Sequence, residues 1–231
     1  MDDVLVIEND PDDHPGRLGE WLAAAGLRLA VVRAHAGQEV PTDPSRYAGL
    51  VVLGGGQHAF PDPAGAPGAP WFPATESLLR AAVRERVPTL AICLGAQLLA
   101  TAHGGRVEPA AAGPELGPAL VARRDAAESD PLFGAVPFTP DVFQWHRDEV
   151  TELPPGAVLL AASTRCPYQA FRLGTAWGLQ FHIEPDLPMV AGWAAADRDL
   201  LRQLGLAEAD LLAATEPVLA DLAEVWQPFA A

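Results

Sequence analysis

The chain reads as an α/β domain, a mainly parallel twisted sheet with helices on both faces, and three observations predict it. Short apolar runs of strand length alternate with stretches whose apolar residues recur at helical spacing. One run ends in three glycines and another in a cysteine followed at once by helix-like sequence, as strands of an open α/β sheet end. The 231 residues, 49 % of them hydrophobic, suffice for a core on both faces of one sheet, so one domain over 1–231 is expected.

Taken in order, Val4 to Ile7 is a short buried strand, and Leu18, Trp21, Leu22 and Leu27 share one face of a helix that follows Pro15. Leu29 to Val32 is a second strand. Leu50 to Leu53 is a third, ending at Gly54-Gly55-Gly56. Phe60 to Pro73 is crowded with Pro and Gly and reads as loop. Ala74 to Arg86 has helical spacing at Leu78, Leu79, Ala82 and Val83, and Pro88 to Ile92 returns to strand. After Ala102 the pattern loosens. Val158 to Ala162 and Ala176 to His182 read as later strands, and a helical tail begins near 189 with Trp193, Leu200, Leu201 and Leu204 turned inward.

Composition removes several functions. A net charge of −15 disfavours nucleic acid or an anionic membrane as partner. Every basic residue is Arg, so a phosphate-cradling lysine and a Schiff-base lysine are both excluded. Gly54-Gly55-Gly56 lacks dinucleotide-loop spacing, and the six His show no zinc-ligand spacing, so neither a metal nor a cofactor is expected. His58 and His103 read as ordinary polar residues, and the acidic cluster Glu8, Asp10, Asp12, Asp13 as a solvated loop, though its place after the first strand keeps substrate contact open. With no signal-like opening, no apolar run long enough for a bilayer and only two cysteines, the reading is a cytoplasmic protein without disulfides.

One of those cysteines carries chemistry. In Ala91-Ile92-Cys93-Leu94-Gly95-Ala96-Gln97 it stands where strand gives way to helix, with small residues two before and two after. A sharp strand-to-helix turn crowds the backbone and demands small neighbours there, the arrangement of a nucleophile elbow. The helix that follows aims unpaired N–H groups at the sulfur, favouring thiolate below the ordinary thiol value of about 8.5. Such a nucleophile needs an oriented proton acceptor. Gln180-Phe181-His182-Ile183-Glu184 supplies both parts, because side chains two apart at a strand end share a face and Glu184 can hold the His182 imidazole.

With these stretches, Leu53-Gly54-Gly55, Asp130-Pro131-Leu132-Phe133, Gln144-Trp145-His146 and Gln169-Ala170-Phe171-Arg172, nearly the whole chain resembles the class I glutamine amidotransferases, in particular the free-standing bacterial members. The resemblance implies a flavodoxin-like sheet. It implies that Cys93 attacks the glutamine carboxamide to give a γ-glutamyl thioester and ammonia, with His182 moving the proton and Glu184 orienting it. It further implies an oxyanion hole from the N–H groups of Leu94 and Gly55, and substrate contacts from Gln97, His146 and Asp148. The sequence departs from the family pattern at Ala91, where Gly is usual, and at Gly56, where Pro is usual and whose absence loosens the loop. It departs also at Arg147, a cation able to pair with a substrate carboxylate, and at Ile183.

The leading expectation is a glutaminase whose ammonia serves a separate synthase. A stand-alone hydrolase of γ-glutamyl amides or peptides would use the same triad, and a non-catalytic binding or regulatory subunit would keep the fold alone.

Overall fold

The computed structural model describes residues 3–230. The first half follows the expected alternation: β1 (Asp3–Glu8), α1 (Gly16–Ala24), β2 (Arg28–Arg33), β3 (Gly49–Val52), α2 (Phe72–Glu85), β4 (Thr89–Ile92) and α3 (Leu94–Ala102). Then come β5 (Arg106–Pro109), β6 (Glu115–Leu120), β7 (Ala122–Arg123), β8 (Asp141–His146), β9 (Asp148–Glu152), β10 (Val158–Ala162), β11 (Ala170–Leu173) and β12 (Ala176–Leu179). Three helices close the chain, α4 (Leu187–Ala196), α5 (Arg198–Gln203) and α6 (Glu208–Trp226).

The central sheet has the order β2-β1-β3-β4-β12-β11-β10-β7. Its first five strands are parallel, and β11, β10 and β7 extend it antiparallel. Two short antiparallel pairs, β5 with β9 and β6 with β8, stand apart from it. Period-2 alternation distributes the core over both faces. Val4, Val6, Val51 and Leu53 join Leu18, Phe143, Phe181 and Trp226 on one side, and Leu5, Ile7, Leu50 and Val52 join Leu78, Leu79, Leu98 and Leu99 on the other. Because β1 lies between β2 and β3, the chain leaves β1 to one side and returns on the other. The carboxyl ends of β1 and β3 thus diverge at a switch point, where open α/β sheets hold their ligands.

Several expectations change. Leu27 lies beyond α1, in the turn before β2, though it still packs on the core. Pro73 belongs to α2, whose first turn accepts proline because that N–H has no intrahelical partner. The last parallel strand stops at Leu179, and His182 is held instead by a bridge to Phe143. The tail is three helices, and Leu204 at the end of α5 is exposed. The strands of β5 to β9 escape sequence reasoning because they are short, broken by Pro and Gly, and largely half-exposed.

Candidate active site

The turn between β4 and α3 is forced by its neighbours. Cys93 has φ 50° and ψ −110°, a conformation costing about 1–3 kcal/mol that persists only where surroundings impose it. Its N–H donates to Leu179 O at 2.7 Å and its carbonyl accepts the first bond of α3 from Gln97 N at 3.0 Å. A Cβ at Gly95 would lie 2.1 Å from Val52 O, so glycine is the residue that lets α3 approach β3 this closely. Cys93 is buried, yet it lines the principal cleft; its sulfur lies 3.7 Å from Trp145 O and 3.8 Å from Gln180 Nε2. Leu94, as first residue of α3, presents an amide with no carbonyl one turn back.

His182 and Glu184 are each 1 % exposed. Glu184 Oε1 is 2.5 Å from His182 Nδ1, and its Oε2 accepts the Ile183 N–H at 2.9 Å, so the carboxylate is anchored at both oxygens. His182 Nε2 has no hydrogen-bond partner among the described residues. Burial pushes the His182 pKa down, but the Glu184 carboxylate and Cys93 outweigh it and hold the ring well above its ordinary value. The cysteine and the imidazole therefore sit as electrostatic partners, a setting that favours imidazolium and thiolate. The His182 ring rests against Trp193, with centroids 4.8 Å apart.

The other expected residues gather at the same cleft, with varied commitments. Gly55 lines it, and a Cβ there would meet Gln57 Oε1 at 2.6 Å and Leu94 Cδ2 at 3.0 Å, so it packs beside the elbow. Gln97 is buried and spends its Nε2 on Asp148 O and Gln180 Oε1. His146 turns its ring to the protein, with Nδ1 2.9 Å from Asp148 O and Nε2 3.2 Å from Glu115 Oε2. Asp148 Oδ2 is 2.5 Å from His58 Nδ1, which brings His58 into the cleft lining and corrects its reading as an ordinary loop residue. Arg147 is closed onto Asp197, so its charge is already paired. Gly56 tightens its loop: without proline, its N–H donates to Asp10 Oδ2 at 3.3 Å.

The loop after β1 is the largest departure from sequence reasoning. Asp12 is exposed, but Glu8 and Asp13 are buried. Burial drives the Asp13 carboxyl up to about 7, the His182 ring opposing the shift and Glu184, Asp10 and Asp12 adding to it. Asn9 also escapes the sequence reading; it donates to Leu53 O and accepts from Trp71 Nε1, pinning the end of β3. Gln180 and Trp193 complete the set. Trp193, already expected to turn inward, bonds Asp12 O through its indole and faces Trp145 at 5.7 Å. Only the position of the loop at a strand end signals any of this.

The sequence model of the family described as glutamine amidotransferase class-I matches residues 18–187. A glutamine amidotransferase-like protein of Salmonella typhimurium, YfeJ, is 30 % identical over 192 residues, covering 82 % of this chain and 78 % of that protein. The glutamine-hydrolysing subunit of the GMP synthase of Thermococcus kodakarensis is 42 % identical over 100 residues, 42 % of this chain and 51 % of that protein. The chain thus covers about half, or less, of the first GMP synthases it matches. A solved glutamine amidotransferase from Thermotoga maritima has a TM-score of 0.87 at 26 % identity, over 97 % of this chain and 94 % of the other. The extent of the family match, the fold and the elbow cysteine beside a carboxylate-held histidine agree: the chain belongs to the class I glutamine amidotransferase family.

Proposed function

We propose that the protein hydrolyses the side-chain amide of glutamine through a Cys93 γ-glutamyl thioester and releases ammonia to a separate acceptor enzyme. The observation that carries the reading is the meeting of Cys93, on its constrained turn, with His182 held by Glu184 at 2.5 Å. The thiolate attacks the carboxamide carbon. The oxyanion that forms is met by the Leu94 N–H and by the Gly55 N–H, donors of a kind worth about 3 kcal/mol each to the transition state. His182 gives its proton to the departing nitrogen, the C–N bond breaks, and ammonia leaves. Water, deprotonated by His182, then opens the thioester to glutamate. Gln97 and Gln180 support the sulfur side of the cleft, and His146 and Asp148 its far wall.

A separate synthase is suggested by the matched GMP synthase polypeptide, whose name makes it one subunit of an enzyme. A second reading, a stand-alone hydrolase of γ-glutamyl amides, uses the same steps with an amine as leaving group. The carboxylates lining the cleft favour it, since ammonia alone offers them no second charge. Ammonia release from glutamine and amine release from γ-glutamyl amides by the purified protein separate the two. Cys93→Ala abolishes both and blocks labelling by an electrophilic glutamine analogue. Turnover that survives Cys93→Ala, or absence of labelling of the reduced protein, ends the proposal and leaves a non-catalytic subunit.

A further inference from the structure

Asp13 is a buried carboxylate that the steps of amide cleavage do not use. It is 7 % exposed and lines the cleft, and neither of its carboxylate oxygens accepts a hydrogen bond among the described residues. Burying such a group without a partner is costly, so a partner is missing. Its place says on which side of the reaction that partner comes. A Cβ on Gly54 would lie 2.6 Å from Asp13 Oδ2 and 3.0 Å from His182 Cε1, so the carboxylate and the proton-delivering ring flank one point. In amide cleavage the group beside the proton donor is the departing amine.

The chemistry of the lining selects a cation. Asp10, Asp12, Asp13, Asp148 and Asp197 all border the cleft, and the one Arg there, Arg147, is spent on Asp197. Opposite stand the indoles of Trp145 and Trp193, whose faces attract positive charge in a desolvated site. Carboxylates and indole faces together make a cation-binding wall, and the amine leaving from His182 must pass it.

Resting on the reading that Cys93 cleaves γ-glutamyl amides, we infer that Asp13 and this wall bind a positive charge on the departing amine. The preferred substrate is thus a γ-glutamyl amide of a diamine or polyamine. The balance is that of hydrolysis: the thioester forms as the C–N bond breaks, and His182 protonates the released nitrogen. The second ammonium keeps its charge throughout, and water returns glutamate and the thiol. Asp13 stands at about 7 among His182, Glu184, Asp10 and Asp12, and it binds a cation as carboxylate. Affinity for the cationic substrate therefore improves as pH rises through about 7, while a neutral substrate gains nothing from that ionisation.

The test compares three substrates with the full chain: glutamine, the γ-glutamyl amide of 1,4-diaminobutane, and the γ-glutamyl amide of pentylamine, which puts a methyl where the second ammonium would be. The inference expects kcat/KM for the diamine amide to exceed that for the pentylamide by about tenfold or more, chiefly through KM. In Asp13→Asn that ratio falls to within about threefold. Equal use of the two amides by the wild type overturns the inference, as does an Asp13→Asn variant that lowers kcat for all three and leaves their ratio intact. If the variant does not fold, the wild type decides: KM for the diamine amide must fall between pH 6 and 8 relative to the pentylamide, and parallel profiles overturn the inference. Cleavage without charge preference removes only this inference, whereas failure to cleave any amide removes the amidase reading beneath it.

Discussion

Replacing Gly95 by alanine tests whether the elbow is set by the approach of α3 to β3. The added Cβ would lie 2.1 Å from Val52 O, 2.8 Å from Val52 C and 3.2 Å from Leu53 O, all backbone atoms that cannot rotate aside. Real Cβ contacts do not fall below 3.0 Å, so helix and strand must part by about 1 Å at the residue that fixes Cys93. Overpacking of this kind costs about 1–3 kcal/mol, which for a chain of this length lowers Tm by roughly 2–12 °C. A displacement near 1 Å at the nucleophile costs on the order of 10²-fold in kcat. The assay is amide turnover beside a thermal melt, with Gly192→Ala as control. Gly192 lies on the exposed side of α4 with nothing within 4 Å of an added Cβ, so alanine there gains about 0.5–1 kcal/mol and leaves turnover unchanged. Gly95→Ala with wild-type turnover and melting would refute the reasoning.

Glu184→Gln keeps the shape but removes the charge that holds the His182 imidazolium, so kcat should fall by about 10³–10⁴-fold, as for the orienting carboxylate of serine triads, in a steady-state assay. Asp13 is raised from 3.8 to about 7 in the folded state, so its contribution to stability is present below pH 3.8 and is lost as pH rises through about 7. Asp13→Asn should therefore melt several degrees higher than wild type at pH 8, the gap closing toward pH 4. Asp130→Ala strands the Trp177 indole, the Arg172 guanidinium and the amides of Leu132 and Phe133, whose shared acceptor is that carboxylate. Urea melts should show about 3–5 kcal/mol lost.

Local signals in the sequence were enough for the parallel half of the sheet and for the catalytic candidates. Alternation along β1 and β3, helical spacing in α2 and the demand for small residues around Cys93 are properties of neighbouring residues, so they can be read before folding. The two-residue step from His182 to Glu184 is likewise local, and it survived although the strand ends at Leu179. What needed tertiary structure was every relation between distant segments. The short pairs β5 with β9 and β6 with β8 exist only because strands remote in the chain complete their hydrogen bonds. Asp13 looks like one more acid in a polar loop until Gly54 and His182 close over it, and burial then changes its chemistry. Trp145 and Trp193 become a wall because α4 folds back across β8. Residue type and spacing settle which chemistry is possible, while desolvation and approach between remote segments decide which charges that chemistry meets.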